Sequence, residues 1–321
     1  MGNKVRKSKS LHKSNLNFLH ISLFTFVYIS FSALIVNFYY REIPIEEQIL
    51  VSSETLGDTS ETLSEVKVVE PYLSESTVTP SISAMSALAI DLDSGKVLFE
   101  KDPELPVFPA STTKIMTALV ALDAYPPSQV VTINNVYIDG QKMGLMVGEQ
   151  IKAEDLIYGL LVSSANDAAE VLADNYPGGR DLFIAAMNLK AKELGLINTL
   201  FLNPSGLDSD GQLTTSSDLI RASIYAMKNP EFARIVATKS ITVKSIDEKY
   251  VHNLKNINRL LGEVDGVLGI KTGYTEGARE NLVTYVERDG RKVMTAVLGS
   301  KDRFGESKNL IEWIFTNYNW N

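Results

Sequence analysis

The feature that most restricts this chain is an uncharged run close to its N-terminus. Residues 16–40 contain no Asp, Glu, Lys or Arg and are dominated by Phe, Leu, Ile, Val and Tyr. A run of this length suffices to cross a bilayer, because a membrane-spanning helix needs about 20 apolar residues. Residues 1–15 carry five basic residues and no acidic one, which predicts that they form a cytoplasmic tail. The sequence therefore predicts a single-pass membrane protein whose folded part lies outside.

A cleaved signal peptide is the alternative explanation of the same run. Such a peptide has an apolar region of about 7 to 15 residues and ends in small residues before its cleavage site. Here the run is longer and ends in Asn37-Phe38-Tyr39-Tyr40, an aromatic flank without an Ala-x-Ala site. We therefore favour an uncleaved transmembrane anchor.

The composition changes beyond the apolar run. Residues 41–82 are rich in Ser, Thr and Glu and show neither a helical nor a strand period, which predicts a flexible acidic linker. An irregular segment packed on the fold is the alternative. Residues 83–321 show no internal repeat and no second break in composition, and we interpret them as one domain.

This predicted domain begins and ends with strand patterns and has helix patterns between them. Alternating or continuous apolar residues bounded by turn signals predict strands at 87–93, 96–100, 267–273, 281–287 and 292–299. Apolar and amphipathic stretches predict helices at 112–124, 153–162, 165–175, 179–194, 216–228, 231–237 and 305–318. This order predicts an α+β fold, in which an antiparallel sheet built from both chain ends is flanked by helices.

Scarce residue types exclude several kinds of site. The chain has no cysteine, which excludes a thiol nucleophile and any cysteine-ligated metal. It has three histidines, of which only His252 lies in the predicted domain. The predicted domain therefore has one histidine at most for a Ser-His-Asp triad and too few for a multi-histidine metal site. We expect no metal and no cofactor. The only basic cluster is the short tail, which argues against nucleic acid as a partner.

A serine and a lysine one helical turn apart stand at the start of the helix predicted at 112–124. In Ser111-Thr112-Thr113-Lys114 the two side chains fall on the same face. A lysine shielded by an apolar helix can have its pKa lowered far enough to deprotonate a serine hydroxyl. A capping serine with an exposed lysine is the alternative, but the apolar residues at 115–122 leave little exposed face and favour a buried lysine.

Two further short motifs follow. Ser164-Ala165-Asn166 lies between two predicted helices, where a loop can direct a hydroxyl and an amide into a cleft; ordinary helix capping explains it equally well. Lys271-Thr272-Gly273 ends a predicted strand, where glycine allows a peptide to approach and pair as an added strand. A solvated strand end with a turn glycine is the alternative here.

Together with Asn203-Pro204-Ser205-Gly206-Leu207, these motifs resemble the low-molecular-mass penicillin-binding proteins that are serine-type D-Ala-D-Ala carboxypeptidases. The resemblance covers residues 83–318, and it implies a β-lactamase/transpeptidase-like fold with a helical subdomain, so that 83–321 would be a serine peptidase domain. The chain departs from the pattern at Ala278-Arg279, where many members have Ala-Gly.

The resemblance also implies roles for single residues. Ser111 would be the nucleophile, Lys114 the general base, and Ser164 the hydroxyl that passes a proton to the leaving amine. The residues implied in substrate binding are Asn166, Lys271, Thr272, Gly273, Tyr274 and Arg303. Thr272 and Arg303 would bind the terminal carboxylate, and the backbone N–H groups of Ser111 and Tyr274 would form the oxyanion hole.

The expected activity is removal of the terminal D-alanine from peptidoglycan stem peptides through an acyl-serine, on the outer side of the bacterial cytoplasmic membrane. β-Lactam antibiotics would be covalent inhibitors. An endopeptidase that cuts cross-links with the same residues stays open as an alternative. A non-catalytic wall-binding scaffold is disfavoured, because a pure binding module has no need of a buried lysine beside a helix-start serine.

Overall fold

The computed structural model describes residues 69–75, 77–136 and 138–320. The predicted tail, the predicted anchor and the predicted linker up to residue 68 lie outside the described residues. Within the described ranges, no helix is both long enough and apolar enough to span a bilayer.

The described part follows the order strands, helices, strands, helix. The strands are β1 (Tyr72–Leu73), β2 (Ser86–Asp91), β3 (Val97–Lys101), β4 (Val130–Thr132), β5 (Gln150–Lys152), β6 (Ser240–Lys244), β7 (Val251–Lys255), β8 (Val267–Thr275), β9 (Arg279–Arg288), β10 (Arg291–Ser300) and β11 (Tyr318–Asn319). The helices are α1 (Lys114–Ala124), α2 (Ala153–Val162), α3 (Asn166–Asp174), α4 (Arg180–Glu193), α5 (Ser216–Met227), α6 (Pro230–Val236) and α7 (Arg303–Asn317).

The main sheet has five antiparallel strands in the order β3-β2-β10-β9-β8. Its strands come from both ends of the described chain, which confirms the α+β prediction. The turn Asp289-Gly290 joins β9 to β10, and both residues have positive φ, 51° and 75°. These are the left-handed conformations that a tight hairpin turn requires.

Helices cover both faces of this sheet. Helix α7 lies against β9 and β10 on one face, and α5 contacts β10 and β2 on the other. The middle of β9 and most of β10 are buried, so these strands read as continuous apolar runs rather than as alternating ones. The sheet is thereby a rigid wall, and β8 forms one of its edges.

A helical subdomain lies beside the β8 edge. Its central helix α1 is buried along most of its length, as expected for a helix that is apolar on nearly all faces. It ends at Ala124, and the extended residue Tyr125 that follows directly precedes Pro126, a residue that cannot continue a helix. Helices α2, α3 and α4 pack around it, and the small pairs β4–β5 and β6–β7 flank the subdomain.

Part of the predicted linker is folded onto the domain. Strand β1 pairs with β11 at the C-terminal end, and the indole Nε1 of Trp313 donates to the carbonyl oxygen of Val78 at 2.9 Å. Ile82 belongs to the apolar cluster beneath α7. Apolar and backbone contacts thus order residues that the linker prediction assigned to a flexible segment.

Candidate active site

Ser111 and Lys114 stand where α1 begins. A single 3₁₀ turn, Ala110–Thr113, precedes α1, and Ala110 has a positive φ of 48°. Lys114 Nζ lies 3.0 Å from Ser111 Oγ. No side chain of the described residues caps the 3₁₀ turn or α1, so the capping alternative for Ser111 does not hold.

Lys114 is fully buried, with 0% of its surface exposed. Its Nζ donates to Asn166 Oδ1 at 2.7 Å and to the carbonyl oxygen of Ser205 at 2.5 Å. Burial lowers the pKa of Lys114 to about 7, and the negative charges of Glu170 and Asp167 oppose this shift. About half of the Lys114 side chains are therefore uncharged at neutral pH.

The partners of Lys114 determine what its uncharged form can do. The oxygens of Asn166 and Ser205 are both carbonyl oxygens, which only accept hydrogen bonds. A neutral amine has two N–H donors, and these two acceptors use both. Its lone pair is then left for the hydroxyl of Ser111, the third neighbour. The neutral amine can therefore take the hydroxyl proton of Ser111 while the serine oxygen acts as the nucleophile.

Ser164 and Asn166 lie at the junction of α2 and α3, on the other side of the cleft from β8. Ser164 has a positive φ of 60°, and its Oγ accepts a hydrogen bond from Lys271 Nζ at 2.8 Å. Asn166 Nδ2 donates to the carbonyl oxygen of Asp139 at 2.7 Å. The N-cap residue of α3 is Ala165, and the side-chain oxygens of Ser164 and Asn166 accept from lysine amines instead, so neither residue is an ordinary helix cap.

Lys271 and Thr272 come from the edge strand β8. Lys271 is 1% exposed, and burial, followed by the positive charges of Lys114 and Arg303, holds the pKa of Lys271 well below its usual value. Thr272 Oγ1 is buried and has no hydrogen-bond partner among the described residues. An unpaired buried hydroxyl is unfavourable, so this atom is suited to a ligand.

Gly273 brings β8 against the start of α1. A Cβ atom placed on Gly273 would lie 3.0 Å from both Ala110 Cβ and Ser111 N, so a side chain would force the strand away. Arg303, the first residue of α7, donates from Nη1 to the carbonyl oxygen of Gly273 at 2.8 Å. Tyr274 follows on β8 with 60% of its surface exposed. All nine predicted site residues thus lie along one cleft between α1, α3 and β8.

Sequence reasoning missed the residues that hold this cleft together. The Nδ2 of Asn281 donates to the carbonyl oxygens of Phe108 and Pro109, both at 3.0 Å, and so fixes the segment before Ser111. A Cβ on Gly206 would lie 2.0 Å from the carbonyl oxygen of Ala110. Asn281 could have been identified from the sequence as a polar residue at the start of the largely apolar strand predicted at 281–287.

Comparison with known proteins decides the family. The sequence profile of peptidase family S11, D-alanyl-D-alanine carboxypeptidase, matches residues 74–302. The chain belongs to this family. The three motifs of this S11 peptidase and all five strands of the main sheet fall inside the matched range.

Named relatives and a solved structure agree with this assignment. D-alanyl-D-alanine carboxypeptidase DacF of Bacillus subtilis is 31% identical over 246 residues, 73% of this chain and 63% of DacF. The chain thus spans less than two thirds of that relative. A D-alanyl-D-alanine endopeptidase of Pseudomonas aeruginosa is 34% identical over 243 residues, 73% of this chain and 78% of the relative. The crystal structure of the Streptomyces K15 DD-transpeptidase superposes with a TM-score of 0.71 at 32% identity, covering 75% of this chain and all of the other.

Proposed function

We propose that this S11 peptidase is a serine D-Ala-D-Ala carboxypeptidase that removes the terminal D-alanine from peptidoglycan stem peptides. The observation that carries the proposal is the position of Lys114, a fully buried amine 3.0 Å from Ser111 Oγ. Its pKa of about 7 makes a substantial fraction of it a base at neutral pH.

In the first step, Ser111 Oγ attacks the carbonyl carbon of the penultimate D-alanine. The hydroxyl proton passes to Lys114 Nζ, and a bond forms between Oγ and the carbonyl carbon. When the peptide C–N bond breaks, Ser164 donates its proton to the leaving amine, and the proton held by Lys114 replaces it, so that both side chains end the step as they began. Lys271 Nζ donates to Ser164 Oγ at 2.8 Å and so holds this hydroxyl in place for the transfer. The products are free D-alanine and an acyl-serine.

The charges that develop in this step have matching groups. The backbone N–H groups of Ser111 and Tyr274 would stabilise the oxyanion, and Gly273 supports this role by allowing β8 to lie against Ser111. The terminal carboxylate would bind the unpaired Thr272 Oγ1, near Arg303.

In the second step, a water molecule attacks the acyl carbonyl carbon. The ester bond between this carbon and Ser111 Oγ breaks, and the shortened peptide is released. The serine oxygen recovers its proton, so the atoms balance with one water consumed. A β-lactam has a reactive amide carbonyl and would acylate the same serine. β-Lactams are therefore proposed as covalent inhibitors.

An endopeptidase activity on cross-linked stems is the second candidate, favoured by the relative from Pseudomonas aeruginosa that carries this name. Both reactions use a D-alanyl carbonyl and the same acyl-serine, and they differ only in the leaving amine. A non-catalytic scaffold is disfavoured by two buried lysines whose amines contact only hydroxyl and carbonyl oxygens among the described residues, since burying an amine without a carboxylate partner is unfavourable.

We also propose that the peptidase domain acts outside the bacterial cytoplasmic membrane, attached to it by residues 16–40. The support is the uncharged run with its basic N-terminal side. The substrate lies in the cell wall, which is consistent with an exported domain.

The test uses the full chain in detergent with two substrates, a linear pentapeptide stem ending in D-Ala-D-Ala and a cross-linked stem dimer. We expect free D-alanine from the linear peptide and none with the Ser111→Ala variant. Cleavage of the dimer without D-alanine release would assign the endopeptidase activity instead. If the folded wild-type chain leaves both substrates intact, the proposal is wrong.

A further inference from the structure

Asp208 connects a loop on the helical side of the cleft with the end of strand β8, and it lies outside the sequence motifs described above. It lies at the outer end of the loop of residues 203–209, here the 203–209 loop. Asp208 Oδ1 accepts from Thr275 Oγ1 at 2.7 Å, and Asp208 Oδ2 accepts from Gly277 N at 3.1 Å. Thr275 and Gly277 belong to residues 275–279, here called the β8–β9 turn, which run from the last residue of β8 to the first residue of β9. One carboxylate thus uses both oxygens to hold a loop of the helical side to the end of the edge strand.

The turn is built for this close contact. A Cβ on Gly277 would lie 2.8 Å from Asp208 Oδ2 and 3.3 Å from Phe108 Cδ2, so a side chain here would push the Asp208 carboxylate away from the turn. Thr275 Oγ1, besides donating to Asp208, accepts from Ala278 N at 3.0 Å. Arg279 closes the turn with a positive φ of 57°, so it takes the left-handed conformation for which glycine is preferred.

The inner part of the 203–209 loop is fixed without Asp208. Asn203 Oδ1 accepts from Gly206 N at 2.7 Å, and Asn203 Nδ2 donates to the carbonyl oxygen of Leu207 at 2.8 Å. Thr117 Oγ1 in α1 donates to the carbonyl oxygen of Pro204 at 2.7 Å. The carbonyl of Ser205 therefore keeps its place beside Lys114 when Asp208 changes, and the main effect of Asp208 falls on the turn.

The order of groups along β8 tells which part of a peptide reaches this turn. The unpaired Thr272 comes first, Gly273 lies against Ser111, and Tyr274 and Thr275 follow. With the terminal carboxylate at Thr272 and the scissile carbonyl at Ser111, the residues that precede the scissile bond extend past Tyr274 towards the turn. Their position depends on how far the turn stands from the 203–209 loop.

We propose that Asp208 is a positioning residue that fixes this distance, so that the cleft receives stem-peptide residues upstream of D-Ala-D-Ala. The inference rests on the carboxypeptidase function proposed above. The expected effect on binding is selective. Binding of a substrate with a residue upstream of D-Ala-D-Ala depends on Asp208, and binding of a substrate that has only the two D-alanines does not.

The experiment compares N-acetyl-D-Ala-D-Ala with diacetyl-L-Lys-D-Ala-D-Ala in wild type, Asp208→Ala and Asp210→Ala. Asp210 is the matched control, an exposed carboxylate in the next segment without a side-chain partner among the described residues. We expect Asp208→Ala to raise KM for the longer peptide about tenfold, as fits the loss of two hydrogen bonds to a carboxylate. Its kcat, its KM for the short peptide and its rate of acylation by benzylpenicillin should stay within about twofold of wild type.

Two further variants keep the test decisive if Asp208→Ala is poorly folded. Thr275→Val removes the hydroxyl donor, and Asp208→Asn keeps one acceptor but cannot accept from Gly277 N with its amide nitrogen. We expect both to raise KM for the longer peptide selectively, and Asp208→Asn to lie between wild type and Asp208→Ala.

Equal losses on both substrates, or no difference from Asp210→Ala on the longer one, would overturn the inference. Failure of the proposed function looks different, because wild type would then release no D-alanine from either peptide. In that case the inference falls together with the function.

Discussion

The pKa of Lys114 leads to the sharpest prediction about this enzyme. Its fall from 10.5 to about 7 corresponds to roughly 5 kcal/mol against the ammonium form, as expected for an amine with 0% exposure. Only the neutral amine accepts the Ser111 proton. The neutral fraction is about one tenth at pH 6 and about nine tenths at pH 8. The second-order rate constant of acylation should therefore rise about tenfold over this range, with the slope of a single proton.

The perturbation is Glu170→Gln. Among the charges that act on Lys114, Glu170 makes the largest contribution that raises the pKa. Its Oε2 also accepts from Arg180 Nε at 2.7 Å, so the variant removes the negative charge that forms an ion pair with this arginine. Both effects disfavour the ammonium form, and the midpoint of the pH profile should move to lower pH. Glu263→Gln, which changes an exposed carboxylate, is the matched control and should leave the midpoint in place.

The assay is stopped-flow acylation by a fluorescent penicillin between pH 5 and pH 9, in wild type and both variants. A rate that does not change with pH would refute the assignment of Lys114 as the base. A shift of the Glu170→Gln profile to higher pH would refute the electrostatic reasoning.

Three further substitutions test the architecture of the cleft. Gly206→Ala should lower the free energy of unfolding by about 2–4 kcal/mol in a urea titration, because its Cβ would meet the carbonyl oxygen of Ala110 at 2.0 Å and its φ is +84°; wild-type stability would contradict the close approach. Thr272→Val should raise KM for a D-Ala-D-Ala peptide about tenfold without lowering the melting temperature, because Thr272 Oγ1 has no partner among the described residues; an unchanged KM would remove Thr272 from the binding site. Asn281→Ala should cost about 2–4 kcal/mol of stability and also slow acylation, because it removes the side-chain donor to the carbonyl oxygen of Phe108 and the acceptor of Gly299 N; a normal acylation rate would contradict its role.

The long elements were predictable because their patterns are strong. The helix predicted at 153–162 is α2 without any shift, and the helix predicted at 179–194 differs from α4 by one residue at each end. The strand predicted at 292–299 lies within β10. Each of these segments has a clear apolar period or a turn residue at its end, so local sequence and tertiary packing agree.

The short pairs β4–β5, β6–β7 and β1–β11 were not predicted. Each of their strands has two to five residues, too few for a period to emerge. Strand β1 exists because it pairs with a partner more than 240 residues later in the chain. Such pairing depends on the finished fold, and the flanking sequence indicates a linker.

The candidate site, like the fold, could be predicted from the sequence only in part. The motifs predicted which residues meet: the structure pairs Ser111 with Lys114 and Ser164 with Lys271, and Asn166 of the second motif accepts from Lys114. No motif indicated that the carbonyl of Ser205 would be a partner of Lys114, since a backbone oxygen leaves no trace in the residue type. The bridge made by Asp208 was equally hidden, because an aspartate in a polar loop looks like a solvated side chain.

The most direct test of the central claim is the intact mass of the full chain after incubation with benzylpenicillin, followed by peptide mapping of the adduct. The account predicts one penicilloyl group, attached to Ser111, in wild type and none in Ser111→Ala. A folded wild-type chain without an adduct, or an adduct on any other residue, would contradict it.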